Sequence, residues 1–191
     1  MVSCSQQGKE VRGMDAKARD AAAACLQLEG QKLPRWRELP DLELYLDQVL
    51  ELTARYLEAW PAFDRKGLTA SMVNNYVMMG ALPKPVKKRY SRRHLAQLLV
   101  ICILKSTLPI ASIRALLRQE MPPGGEEAFF DGFCACFESA GAEAARQAAA
   151  KEGASPALRA ALRAQAEQAL ALRLCAVLYP EEPPEKRKSA K

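Results

Sequence analysis

Four side chains between residues 71 and 78 have the chemistry of groups that contact base edges in duplex DNA. They are Ser71, Asn74, Asn75 and Met78. Positions three or four apart share one face of a helix, so a helix through this stretch presents all four together. Hydroxyl and amide groups form hydrogen bonds with base edges in the major groove. The pattern predicts a helix that reads base pairs, with Asn74 and Asn75 as the readers.

A basic loop (residues 83–90) follows this helix, with the sequence PKPVKKRY. It has too many prolines for a helix and too much charge for a core, so a loop or a small hairpin is expected. The basic residues of the loop and of the next helix start are the expected phosphate contacts. They are Lys84, Lys87, Lys88, Arg89, Arg92 and Arg93. Contacts of this kind position a protein on DNA without reading its sequence.

Charge is distributed unevenly along the chain. Between Arg65 and Gln119 there are eleven Lys or Arg residues and no Asp or Glu, so this segment carries a net charge of +11 and the rest carries −5. A solvated helical face normally mixes both signs. The exclusion of every carboxylate over 55 residues indicates a surface that meets a polyanion.

Local signals predict the helices that position these residues. Thr69 is expected to cap the base-reading helix, and Gly80 to end it in the left-handed conformation. Asp41 is expected to cap a preceding helix of about twenty residues, on which the reading helix is braced. Ser91 is expected to cap a leucine-rich helix, and a further helix is expected to follow a break at residues 106–109.

An acidic, alanine-rich region follows residue 125 and is expected to be helical. Its phenylalanine stripe contains Phe129, Phe130, Phe133 and Phe137, and its leucine stripe contains Leu162, Leu170 and Leu174. The favoured interpretation of the phenylalanines is a core face that packs on the basic domain. A dimer seam and an effector pocket are the alternatives. Because one short reading helix contacts few base pairs, we expect a homodimer joined through these C-terminal helices.

The basic region resembles two known families. The run MVNNYVMMGALPKPVKKRYSRRHLAQLLVICILKSTLPIASIRALL is similar to the DNA-binding domain of the MerR regulators. LTASMVNNYV, KPVKKRYS, and LK with IASI resemble more closely the bacterial family catalogued as domain of unknown function 1836. Asn74 and Asn75 stand where MerR proteins have an arginine and an aromatic residue, so the contacts of that family are not carried over. The resemblance implies a winged-helix DNA-binding fold in a bacterial regulator.

The sequence therefore predicts an all-α protein, a MerR-like winged helix-turn-helix with an appended C-terminal helical region. Residues 1–40 are expected to be a flexible segment and residues 41–121 the DNA-binding domain. Residues 122–179 are expected to complete the core or form the dimer, and residues 180–191 to be a disordered tail.

No catalytic constellation is visible in the sequence. The single histidine, His94, lies beside Arg92 and Arg93, where a surface or phosphate-contacting role is favoured over general-base chemistry. The sequence contains no Walker loop, dinucleotide fingerprint or metal-spaced acid cluster. We expect a protein that is not an enzyme and binds no cofactor or metal.

Six cysteines are scattered along the chain, and no secretory signal precedes them. They are expected to be reduced thiols in the cytoplasm. Cys134 and Cys136 lack the spacing and partners of a zinc site, and on a helix they would point to different sides.

Two classes of function fit the basic face. The favoured class is a cytoplasmic, DNA-binding transcriptional regulator that reads double-stranded DNA with a helix and contacts phosphates with the basic loop. The alternative is an interaction module that keeps the winged-helix fold and binds an acidic protein surface or an RNA. A steep dependence of binding on salt would distinguish the first from a protein-binding module.

Overall fold

The structure is a computed structural model that describes residues 30–58, 67–149 and 155–180, together with Asp20, Ala23, Ala24, Leu28 and Trp60. Most of the N-terminal segment that the sequence predicts to be flexible lies outside these residues. The same is true of all but the first residue of the tail that it predicts to be disordered.

Within the described residues the fold is all-α, as predicted. A single 3-10 turn at Trp36–Glu38 precedes six α-helices. They are α1 (Leu46–Leu57), α2 (Ala70–Met78), α3 (Arg92–Leu104), α4 (Ile110–Glu120), α5 (Glu126–Ala149) and α6 (Pro156–Leu178). Extended backbone in this part of the chain is limited to isolated bridges. None of the described helices is long and apolar enough to cross a membrane.

The described residues divide into two compact units. One contains residues 34–133 and 165–180, and the other contains residues 20–33 and 134–164. In the second unit, the side chain of Arg163 donates a hydrogen bond to the side chain of Gln147, so the end of α5 contacts the start of α6. The residues that the sequence predicts to bind DNA all lie in the first unit.

The centre of the first unit is α3, in which every residue from His94 to Ile103 is buried. A helix that is buried all round must be covered by its neighbours, and here α1, α2 and α4 each contribute one apolar face. Those faces contain Val49 and Leu57 from α1, Val73 and Tyr76 from α2, and Ile113 and Leu117 from α4. Burial of each such side chain stabilises the fold by about 1.5–3 kcal/mol. The helix α2 is thereby fixed against the core.

The prediction for the first helix was wrong at its N-terminus. We expected a helix of about twenty residues capped by Asp41, but α1 begins at Leu46 and has 12 residues. The reason is a pairing that is distant in sequence. Leu44 donates to the Tyr90 carbonyl at 2.8 Å and accepts from the Tyr90 N–H at 2.9 Å, which holds the backbone at Leu44 extended.

The first turns of α5 pack on the segment before α1. Phe130 is fully buried, and its ring meets the Trp36 ring edge-on with centroids 6.4 Å apart. The backbone N–H of Trp36 donates to Asp131 Oδ1 at 2.7 Å. Phe129 and Phe133, which belong to the predicted stripe, are only half-buried. The core contact in this unit is therefore made by Phe130, one of the four phenylalanines of that stripe.

The C-terminal half of α6 belongs to the first unit and contacts residues just before α4 and at its end. Gln168 donates to the Thr107 carbonyl at 3.3 Å, Tyr179 donates to Glu120 at 2.9 Å, and Cys175 is buried between these positions in sequence. Five apolar side chains of this half remain exposed. They are Leu170 (54 %), Leu172 (39 %), Leu174 (48 %), Val177 (77 %) and Leu178 (53 %).

Candidate nucleic-acid interface

The exposed face of α2 carries all four predicted base-contacting residues. Ser71, Asn74, Asn75 and Met78 are exposed, and 83 % of the Met78 surface is accessible. The opposite face holds Val73 and Tyr76 in the core. The sequence prediction of a two-faced helix is confirmed.

Both ends of α2 are held by polar contacts. Thr69 Oγ1 accepts from the Met72 N–H at 3.3 Å, as expected of an N-cap. Gly80 follows the helix with φ 71°, the left-handed conformation that the sequence predicts. Arg114 Nη1 on α4 donates to the Met79 carbonyl at 3.1 Å, so this arginine caps the C-terminus of α2.

The basic loop folds back on itself in a tight hairpin turn. The Arg89 N–H donates to the Val86 carbonyl at 2.8 Å, and the two residues between them, Lys87 and Lys88, have φ values of 49° and 61°. Two successive positive φ angles are the mark of a type I′ turn, whose twist matches that of paired strands. Both lysines are exposed, as is Lys84 at the base of the loop. The turn thus presents two ammonium groups at its tip.

The basic loop is anchored to the segment before α1 through its last two residues. Tyr90 is buried and makes both backbone hydrogen bonds with Leu44. The Arg89 guanidinium lies 3.6 Å from the centroid of the Tyr45 ring, and its Nη1 is 3.5 Å from the Glu43 carbonyl. These contacts fix the base of the loop and leave its tip in solvent.

His94 connects the start of α3 to the basic loop. It is buried, and its Nδ1 accepts from the Ser91 N–H at 3.0 Å, so its ring closes the first turn of α3. The ring also meets Tyr90 edge-on, with centroids 5.5 Å apart. The surface role expected from the sequence is therefore wrong. Burial lowers the pKa of His94 below its ordinary value, although backbone groups of Lys84 beside the ring oppose this shift.

Two of the predicted phosphate contacts are held by acidic partners. Arg93 forms an ion pair with Glu126 at 2.7 Å and donates to the Met121 carbonyl at 3.0 Å. Arg92 lies 3.4 Å from a carboxylate oxygen of Asp41. Their side chains are only 30 % and 18 % exposed. Both acids lie outside the acid-free segment, so a count of charge along the chain did not find them.

A groove that the sequence did not indicate lies beside the exposed face of α2. It has a volume of about 770 Å³. It is lined by Tyr45, Leu46, Asp47, Leu50, Ala70, Asn74, Pro85, Lys88 and Tyr90. Only Asn74 and Lys88 of these were predicted as contact residues. Because the lining comes from three separate stretches of chain, no local pattern could have revealed it.

The described residues contain no group of three His, Cys, Asp or Glu side chains that could hold a metal ion. Cys134 is buried and Cys136 is exposed, so the two side chains point to different sides, as the sequence predicts. Burial raises the pKa of Cys102 to about 11, which keeps that thiol protonated at neutral pH.

Part of this chain matches a known family model. Residues 34–128 match the family model described as Domain of unknown function (DUF1836). The match covers just under half of the chain and includes α1 to α4 and the basic loop. Searches of curated proteins and of solved structures gave no match to the chain.

Proposed function

We propose that the chain is a DNA-binding transcriptional regulator. In this proposal α1 and α2 act as a helix-turn-helix, and the basic loop acts as its wing. The observation that carries it is the exposure, on one compact unit, of an amide-bearing helix face together with a lysine-tipped hairpin. Asn74 and Asn75 supply groups that read base edges, and Lys87 and Lys88 supply charges that contact phosphates.

The arginines of α3 have a supporting role in this proposal. Because Arg92 and Arg93 are engaged by Asp41 and Glu126, they position the start of α3 and the base of the loop. We assign direct phosphate contact to Lys84, Lys87 and Lys88. A module that binds an acidic protein or RNA would use the same lysines but would have no need of the outward asparagines.

Salt dependence provides the first test. The affinity of the full chain for duplex DNA should fall steeply with salt, by about 0.9 log unit per log unit of salt for each phosphate contacted. Three lysine contacts give a slope of about −3. A flat response at low ionic strength would contradict the proposal and favour a protein partner.

Specificity provides the second test, on a site selected from genomic fragments. Replacing Lys87 and Lys88 by alanine should weaken binding to all sequences alike and reduce the salt slope by about two. Asn74→Ala or Asn75→Ala should remove about 1–3 kcal/mol of discrimination at one base pair. Arg118→Ala, an exposed residue on α4, is the control for loss of charge. Unchanged specificity in both asparagine variants would show that another face reads the DNA.

We also propose that the chain acts as a homodimer. One short helix and one hairpin contact few base pairs, whereas two copies related by a two-fold axis read two half-sites. The exposed apolar residues of α6 supply a surface for this pairing. Leu170, Leu174 and Val177 are spaced four and three residues apart, the spacing of side chains that pack between two helices.

A further inference from the structure

The groove beside α2 is chemically unlike a surface that meets only a DNA backbone. Leu46, Leu50 and Pro85 contribute apolar lining, and Tyr45 and Tyr90 contribute aromatic lining. Its volume of about 770 Å³ suits a small organic ligand. Charged phosphates gain nothing from an apolar wall, because burial there removes their hydration. The occupant of this groove must have an apolar face of its own.

Tyr45 provides a stacking surface at the edge of the groove. The residue is 50 % exposed, and the Arg89 guanidinium covers the ring at 3.6 Å from its centroid. A guanidinium on one face holds the ring in place and leaves its exposed part facing the groove. Exposed aromatic rings of this kind stack with single nucleobases that are not engaged in a duplex.

The polar groups of the groove match the remaining parts of a nucleotide. Asn74 has an amide that both donates and accepts, and Asp47 has a carboxylate that accepts from an exocyclic amino group. Lys88 supplies an ammonium for a phosphate. Thymine and uracil have no exocyclic amino group, so the carboxylate of Asp47 would face their carbonyl oxygens and repel them.

We propose that this groove binds one unpaired nucleotide with an amino-bearing base. The base stacks on Tyr45, its amino group meets Asp47 and Asn74, and its phosphate meets Lys88. The nucleotide is either free in solution or an unpaired position in a strand. The inference goes beyond the reading of duplex DNA, because it requires no base pair.

Calorimetric titration of the full chain with adenosine monophosphate tests whether the groove binds a nucleotide that is free in solution. We expect binding that is at least about tenfold tighter than that of uridine monophosphate. Tyr45→Leu should weaken adenosine monophosphate binding by about 10- to 100-fold. Lys88→Gln should weaken the binding of adenosine monophosphate and leave the binding of adenosine, which has no phosphate, unchanged. Tyr56→Leu, on α1 but outside the groove, is the matched control and should change neither.

Duplexes with one unpaired position test whether the groove binds an unpaired nucleotide within a strand. A duplex with a single unpaired adenosine should bind more tightly than one with an unpaired thymidine, and Tyr45→Leu should abolish the difference. Since Lys88 is exposed at the tip of a turn, its substitution remains informative if Tyr45→Leu fails to fold. The inference is overturned if neither adenosine monophosphate nor the unpaired adenosine shows a preference that depends on Tyr45 or Lys88.

The same measurements separate this inference from the proposed function. Salt-dependent binding to a fully matched duplex, with no preference for an adenine nucleotide, overturns the groove site and leaves the regulator proposal standing. Binding of adenosine monophosphate without any binding of matched duplex supports the groove site and overturns the regulator proposal.

Discussion

The backbone at Lys87 and Lys88 adopts a conformation that most residues avoid. A side chain in the left-handed region costs about 1–2 kcal/mol relative to glycine, and turns of this type are dominated by asparagine and glycine. Two lysines at these positions keep charge at the tip at the expense of stability. Strained positions of this kind often mark functional sites.

The first prediction concerns this strain. Lys88→Gly should raise the free energy of unfolding by about 1 kcal/mol, because glycine accepts φ 61° without a steric penalty. Chemical denaturation measures the change. Lys88→Ala removes the same charge but retains the side-chain clash, so it is the matched control. Equal stability of the glycine and alanine variants would contradict the assignment of strain to this position.

The second prediction concerns His94. Its pKa in the folded chain is lowered, mainly by burial, so the unfolded chain binds the proton more readily. The histidine contribution to stability is therefore present above pH 6.5 and is lost as the pH falls below that value. Protonation of Nδ1 also opposes the hydrogen bond from the Ser91 N–H.

Thermal unfolding between pH 5 and pH 7 measures this effect. The wild-type chain should lose stability over this range as the pH falls, whereas His94→Gln should show a flat profile, since glutamine accepts the same capping bond without titrating. A profile unchanged by His94→Gln would assign the pH dependence to other groups.

At the scale of elements, α5 holds the start of α3 through one partly buried ion pair. Glu126 is 18 % exposed and contacts Arg93, which also bonds the Met121 carbonyl. Glu127, the next residue, pairs with Arg37 in an exposed contact in which the two side chains are 46 % and 84 % accessible. Solvent screens the second pair far more than the first.

The third prediction compares these two neighbours. Glu126→Gln should lower the free energy of unfolding by about 1 kcal/mol, and Glu127→Gln should change it by less than about 0.5 kcal/mol. Glu126→Gln should also tighten DNA binding, because it frees the charge of Arg93. If both variants have the same effect on stability, the arginine of α3 is not held by α5 in solution.

Sequence reasoning located the ends of α2 correctly but not the start of α1. Thr69 and Gly80 were predicted as the limits of α2 because each satisfies backbone groups within three residues of itself. The start of α1 was mispredicted because Leu44 pairs with Tyr90, which lies far along the chain. The acids that engage Arg92 and Arg93 were missed for the same reason. Capping is local chemistry, whereas pairing across the fold leaves no local pattern.

At the scale of the whole molecule, the fourth prediction is that the exposed leucines of α6 join two copies of the chain. Light scattering should give a dimer for the full chain, and Leu174→Glu should give a monomer, because a buried charge at a helix seam has no partner. Ala169→Glu introduces the same charge at another exposed position of α6 and should remain dimeric. The monomeric variant should retain binding to a half-site with lower affinity. A monomeric wild-type chain would contradict the proposal that Leu170, Leu174 and Val177 form a dimer contact.

The tight turn at the tip of the basic loop has a consequence for proteolysis. Trypsin cleaves after lysine and arginine but must first bind several residues in an extended conformation. The Val86–Arg89 turn cannot extend without breaking its own hydrogen bond and straining the pairing of Tyr90 with Leu44. Cleavage after Lys87 or Lys88 therefore reports how often this hairpin opens, and a trypsin time course would measure its local stability independently of any ligand.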